Sequence, residues 1–245
     1  MRAVGVIPAR FAASRFPGKP LAEIAGVPLI RRVWEGAQQA KRLTRVIVAT
    51  EDERIAAACR SFGAEVAMTS PEHPTGTDRI AEVAVGLDEE IVVNIQGDEP
   101  LIEGPVIDAA VDALVADPSV PMSTVVHPAD PDAQGDPNRV KVVMDLHGRA
   151  LYFSRSPIPY VREGASMRIW QHVGLYAYRR EFLLAFVKLA PTGLERAESL
   201  EQLRALENGF AIRVATIEGS WRSVPVDVPG DIALVEAALR KTGRC

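Results

Sequence analysis

The sequence predicts a three-layer α/β fold, with a mostly parallel mixed central sheet between helices. Two observations carry this. The first half alternates short, near-continuous apolar runs with segments whose apolar residues recur at helical spacing, as strands buried on both faces and the helices covering them require. Loops bearing charge, glycine and proline follow three of the apolar runs, at 8–20, 69–79 and 96–102. In such sheets the ligand crevice lies beyond the carboxyl ends of the strands, so these loops are where a site is expected.

Residues 2–8 (RAVGVIP) read as a buried strand. Pro28 opens a helix with Leu29, Ile30, Val33, Trp34 and Ala37 on one face. Residues 45–49 form a second strand, and Thr50, Glu51 and Asp52 start a helix that buries Ile55, Ala58, Cys59 and Phe62 and stops at Gly63. A third strand over 65–68 and a helix over 77–87 follow, then a strand over 90–95 (EIVVNI) and a helix over 104–116. The second half changes character. Strands are predicted at 121–127, 140–145, 149–153, 170–178 and 212–217, and helices at 180–189, 196–208 and 230–240. The stretches 128–138 and 156–168 are loops by their proline, glycine and charged content.

Composition bounds the function classes. The 245 residues are 47% hydrophobic and 24% charged, which excludes a disordered or fibrous chain. Twenty-eight Lys and Arg against 32 Asp and Glu give a net charge of −4, against a general binder of nucleic acid or anionic membrane. The apolar runs are strand-sized, and the first is broken by Pro8 and Arg10, too early for a signal peptide or a membrane span. Cys59 and Cys245 imply no disulfide framework, and the four histidines fall at no zinc-ligand spacing. The expectation is a cytoplasmic protein without a structural metal, organised as one domain over 1–245 with functionally distinct halves, 1–120 and 121–245.

Several constellations carry chemistry. Arg10, Arg15 and Lys19 lie in the loop after the first strand, with Gly18 and the small residues Ala9, Ala12, Ala13 and Ser14. Fixed cations beside accessible backbone amides suit a polyphosphate. Pro20 after Gly18-Lys19, and the missing upstream glycine, exclude a Walker A loop. The strand through Asn94-Ile95 runs into Gln96-Gly97-Asp98, which puts a carboxylate at the crevice where Mg²⁺ would be held with substrate phosphates. Capping of the next turn explains Asp98 equally well. Asp227, before Val228-Pro229-Gly230-Asp231, reads by itself as a turn residue, with Asp231 as a helix cap. Thr75-Gly76-Thr77-Asp78 opens a helix and offers hydroxyls and amides there, although an ordinary cap is the commoner use. His73 reads as a surface residue. In the second half, Arg155 could clamp a carboxylate, and His172 sits in an apolar strand where a structural role is as reasonable as a functional one.

Together and in this order, the segments IPARFAASRFPGKPL, VATEDERI, TGTDR, VVNIQGDEPLI, PNRVKVV, ALYFSRSPIP, HVGLYAYR, LERAESLEQLR and VDVPGDI resemble the 3-deoxy-manno-octulosonate cytidylyltransferases, over nearly the whole chain. The resemblance implies a glycosyltransferase-A-like nucleotidyltransferase fold, usually homodimeric. It implies transfer of CMP from CTP to the eight-carbon 2-keto sugar acid KDO, with Mg²⁺, for lipopolysaccharide assembly. By matched position, Ala9, Arg10, Arg15 and Lys19 would bind the triphosphate, with Lys19, Arg15, Asp98 and Asp227 serving catalysis. Thr75, Gly76 and Thr77 would contact cytosine or ribose, and Asp98 and Asp227 would hold magnesium. Gln96, Arg155, His172, Tyr176, Glu201 and Gln202 would line the sugar-acid site. The 1–120 half would then bind CTP, and 121–245 would bind the sugar acid and dimerise. Alternatives are activation of another acid sugar, an amino-KDO or a sialic acid, and a non-catalytic nucleotide-binding homologue.

Overall fold

The computed structural model describes residues 1–12, 15–130, 132–163, 165–219 and 221–243. The chain divides into two compact units, Met1–Asp108 with Arg222–Cys245, and Ala109–Trp221. In this division the C-terminal segment belongs with the first unit.

In chain order the first unit contains β1 (Ala3–Ala9), β2 (Glu23–Ile24), β3 (Val27–Pro28), α1 (Leu29–Ala37), β4 (Leu43–Thr50), α2 (Glu53–Ser61), β5 (Glu65–Met68), α3 (Gly76–Val85), β6 (Ile91–Asn94) and the start of α4 (Gly104–Ala116). Strand β1 pairs in parallel with β4 on one side and β6 on the other, and β5 extends the sheet beyond β4. These pairings need crossovers, which α1, α2 and α3 supply. Val4, Val6, Ile7, Val48, Val92 and Val93 are fully buried, the outcome expected of strands covered on both faces. Helix α1 presents Leu29, Ile30, Val33 and Ala37 to the core, and Asp52 caps α2 by accepting from the Arg54 amide. The hairpin of β2 and β3, a single antiparallel contact at Glu23–Pro28 and Ile24–Val27, was not visible in the sequence pattern, because strands of two residues carry no periodicity.

The second unit holds β7 (Met122–Pro128), β8 (Lys141–Met144), β9 (Ala150–Ser154), β10 (Trp170–Arg179), α5 (Arg180–Phe186), α6 (Gly193–Glu198), α7 (Leu203–Glu207) and β11 (Ile212–Thr216). Here pairing is mainly antiparallel. Strand β10 pairs with β7 and, through Trp170 and Gln171, with β8; β8 pairs with β9, and β11 adds in parallel to β7. The predicted helix over 196–208 is two helices. Ser199, at φ 51°, adopts the left-handed conformation and ends α6, so the amphipathic spacing on either side belongs to separate pieces. Helix α8 (Asp231–Thr242) closes the chain in the first unit. No helix among the described residues is long and apolar enough to cross a membrane.

One close approach tests this packing. A β-carbon at Gly36 in α1 would lie 2.3 Å from the carbonyl oxygen of Ile102. Gly36→Ala is expected to cost about 1–3 kcal/mol, because backbone rather than a side-chain tip must move. Urea unfolding measures this, and an unchanged midpoint would show that the approach relaxes freely.

Candidate functional site

The loops at the carboxyl ends of β1 and β6 and the N-terminus of α3 enclose a cavity of about 260 Å³ in the first unit. Ala9, Arg10, Arg15 and Lys19 line it from the first loop. Thr75 and Gly76 line it from the start of α3, and Gln96, Asp98 and Asp227 complete it. The structure thus brings these residues, remote in sequence, around one cavity. Thr77 does not line the cavity; it is buried, 4% exposed, in the first turn of α3. Ala13, Ser14 and Cys245, also singled out from sequence, lie outside the described residues.

Lys19 is the hub of the cavity. Its Nζ lies 2.9 Å from Asp98 Oδ2, 2.7 Å from the Val226 carbonyl and 4.0 Å from Asp227 Oδ1. Arg15 reaches the same Asp227 oxygen at 3.2 Å. Two carboxylates remote in sequence thus converge on one ammonium, a cation standing between oxygen donors. That donor set fits Mg²⁺, which takes one or two protein carboxylates and completes its shell with water and phosphate oxygens. No group of three or more His, Cys, Asp or Glu able to hold a metal by itself occurs among the described residues.

The backbone sets these positions. The Val226 amide donates to the Asp98 carbonyl at 2.9 Å, which ties the last loop to the end of β6. Asp231 does not cap α8 as expected; Gly230 holds that position. Instead its Oδ2 accepts from the amides of Asp227 (2.8 Å) and Val228 (2.9 Å), which folds the Asp227 turn back upon itself. Gly97 allows the approach from the other side, since a β-carbon there would lie 2.7 Å from the Pro8 carbonyl oxygen.

Three neighbours were not identified from sequence. Glu99 is 6% exposed and accepts from Ser223 Oγ at 2.5 Å. Burial pushes its carboxyl up to about 8; the charges of Asp98 and Asp227 add to this, while Ser223 and Lys19 oppose it. A proton on Glu99 keeps a third negative charge away from the two aspartates. Its signal was the adjacent acidic pair at the end of a very apolar strand. Arg79, largely buried, also lines the cavity; it pairs with Glu51 at 2.8 Å and donates to the Thr69 hydroxyl. Glu51 also accepts from the Phe11 amide at 3.1 Å, anchoring the first loop. His73, expected at the surface, lines the cavity, its Nε2 2.5 Å from Glu82. Thr75 fulfils the capping role, accepting from the Asp78 amide at 3.1 Å and donating to its carboxylate at 2.7 Å.

The remaining predicted residues, Arg155, His172, Tyr176, Glu201 and Gln202, belong to the second unit. His172 and Tyr176 have ring centroids 5.4 Å apart, with Phe153 edge-on to His172 at 5.0 Å. Burial pushes the His172 imidazole down to about 3 and the Tyr176 phenol well up, the latter aided by the charge of Glu201. Arg155 gives three of its N–H groups to the carbonyls of Glu198 (2.6 Å), Pro137 (2.9 Å) and Ser199 (3.3 Å), so it braces the break between α6 and α7. Glu198 in turn accepts from Ser154 Oγ and the Arg155 amide. Gln202 is 4% exposed, and its Nε2 has no hydrogen-bond partner among the described residues, an open donor in a buried position.

Comparison with known proteins matches this chain to a family model described as cytidylyltransferase, over residues 4–217. A 3-deoxy-manno-octulosonate cytidylyltransferase of Syntrophotalea carbinolica is 53% identical over 250 residues, covering 98% of this chain and 99% of the relative. One from Myxococcus xanthus is also 53% identical, over 99% of this chain and 98% of its own length. Among solved structures, a CMP:2-keto-3-deoxy-manno-octonic acid synthetase complexed with CTP superposes with a TM-score of 0.92 at 40% identity, covering 99% of this chain and all (100%) of that one. A putative glucose-1-phosphate thymidylyltransferase from Bacillus anthracis, at 16% identity and a TM-score of 0.67, shares the fold; the alignment covers 97% of this chain and 95% of that one.

The His172 environment predicts a pH dependence. With its folded pKa near 3, below the usual value of about 6.5, the stability gained by a neutral ring is complete above the unfolded value and is lost as pH falls toward 3. Denaturant unfolding of the wild type should therefore weaken from neutral to acid pH more steeply than that of His172→Gln. Parallel slopes would show that the ring protonates freely.

Proposed function

Because the chain belongs to the cytidylyltransferase family, we propose that it transfers CMP from CTP to KDO, giving CMP-KDO and pyrophosphate. The observation that carries the reading is the convergence of Asp98 and Asp227 on the Lys19 ammonium, beside Arg10 and Arg15 in one cavity. An anomeric hydroxyl oxygen attacks the α-phosphorus in line and loses its proton as the new P–O bond forms. The bond to the bridging oxygen breaks, and pyrophosphate departs with the electron pair. Such transfers depend on alignment and charge neutralisation rather than on covalent help from the protein.

The chain's own residues divide this work. Arg10, Arg15 and Lys19 would bind the triphosphate, and their charges offset what accumulates on departing pyrophosphate. In the free protein Arg15 and Lys19 are engaged by Asp227 and Asp98. An entering triphosphate would take over those cations and leave both carboxylates for a divalent one. Mg²⁺, held there, supplies charge neutralisation and makes a bound hydroxyl more acidic. Thr75 and Gly76 stand at the start of α3, where amides can meet the nucleoside, and Gln96 would face the sugar acid from the end of β6. Arg155, His172, Tyr176, Glu201 and Gln202 would form the rest of the sugar-acid site. A homodimer, a cytoplasmic location and a role in lipopolysaccharide assembly accompany the reading. Leu146 and Leu151, exposed at the tip of the β8–β9 hairpin, suit an apolar contact with a second copy.

Pyrophosphate release with CTP, Mg²⁺ and a panel of sugar acids tests this. Release with KDO is expected. Release with a sialic acid alone would refute the substrate, and CTP binding without release would favour a non-catalytic homologue. Asp98→Asn and Asp227→Asn should each lower turnover by roughly 100-fold or more with thermal stability retained. Near-normal, magnesium-dependent turnover in Asp227→Asn would remove it as a ligand.

A further inference from the structure

Strand β10 is not a regular partner of β7. Val173 faces Val125, yet the next matched pair is Tyr176 with Thr124, so Gly174 and Leu175 bulge from the ladder. In a straight strand, residues four apart begin about 13 Å from each other. Here the rings of His172 and Tyr176 stand 5.4 Å apart. The bulge also turns two carbonyls onto one side chain, since Thr124 Oγ1 lies 2.7 Å from the Leu175 oxygen and 3.2 Å from that of Val173. The same Oγ1 is 3.0 Å from His172 Nε2. Thr124 is fully buried, at 0% exposure.

The proton count in this cluster has one solution. A hydroxyl owns one proton, and carbonyl oxygens only accept. A separation of 2.7 Å is the usual O–H···O length and would be repulsive with no proton between the oxygens. The Thr124 proton therefore goes to the backbone, and its lone pair faces His172. Nε2 must be the donor there. In a neutral imidazole this leaves Nδ1 as an acceptor. Burial holds the imidazole down to about 3, which keeps the ring neutral near pH 7, and no described residue is hydrogen-bonded to its Nδ1.

We propose that Thr124 is a positioning residue that holds His172 as the Nε2–H tautomer, so that Nδ1 accepts a hydrogen bond from a hydroxyl of the sugar acid. The second clause rests on the reading that His172 lines the sugar-acid site; the tautomer itself does not. A ring fixed in this way selects a donor on the substrate and leaves an analogue without that hydroxyl unpaired. It offers nothing to CTP, so its effect should fall on one substrate only.

The test combines ring ¹⁵N NMR of the full chain, free of ligand and at neutral pH, with kinetics of pyrophosphate release. The wild-type spectrum should show His172 protonated at Nε2, and Thr124→Ser should keep both that tautomer and the wild-type KM values. Thr124→Val should lose the single tautomer and raise KM for KDO roughly five- to tenfold, with KM for CTP within about twofold. A proton on Nδ1 in the wild type, or a Thr124→Val ring still held at Nε2, overturns the role of Thr124. Should the valine variant fail to fold, the wild-type and serine spectra decide the tautomer. A tautomer that changes in Thr124→Val with KM for KDO unmoved would instead overturn the placement of His172 in the sugar-acid site.

Discussion

Two carboxylates facing one cavity repel each other, and the arrangement of the first unit follows from how that repulsion is met. Lys19 places an ammonium 2.9 Å from Asp98 and 4.0 Å from Asp227, while Arg15 bonds that same Asp227 oxygen at 3.2 Å. Around this charge cluster the chain uses neutral or internal partners. Burial pushes the Glu99 carboxyl up to about 8, Arg79 is paired with Glu51, and Asp231 is turned onto backbone amides. The cavity is thus left with exchangeable ion pairs, a state that an incoming polyphosphate with a divalent cation can replace charge for charge. Neutral pairs, rather than a basic surface, would let a chain of net charge −4 take up a polyanion at this cavity.

The second unit solves a different problem. Its cluster is aromatic and neutral, with Phe153 edge-on to His172, Tyr176 tilted against it and a buried threonine at its base. Uncharged, directional groups of this kind would suit hydroxyls, and the β10 bulge brings the His172 and Tyr176 rings together. Arg155 spends its donors on the α6–α7 break, where Ser199 occupies a left-handed conformation beside Glu201 and Gln202. A strained residue held by an arginine fixes the orientation of the helix that follows.

Local pattern carried much of the site. Arg10, Arg15, Lys19 and Asp98 lie in loops that follow apolar strands, so their place beyond the strand ends was readable from spacing, although capping explained Asp98 equally well. Asp227 was not, because a Pro-Gly turn explains it fully until the Val226 amide is seen on the Asp98 carbonyl. Only the family resemblance raised it from turn residue to ligand. The helix over 196–208 failed for a related reason. Its apolar spacing is helical on both sides of Ser199, and nothing in a 3.6-residue period reports a left-handed residue stabilised by Arg155, some forty positions away.

By itself the sequence determined what depends on neighbours along the chain: the alternation of strands and helices, the Asp52 and Thr75 caps, and the loops where charge gathers. The tertiary structure decided what depends on who meets whom. It gave Lys19 two carboxylate partners, turned Asp231 from a cap into the clasp of the Asp227 turn, and buried Glu99 so that its carboxyl is pushed up. It also set Thr124 against His172 across a bulge. The physical reason is that hydrogen bonds and charges act over a few ångströms of space, whereas the pattern in a sequence records only the few residues on either side.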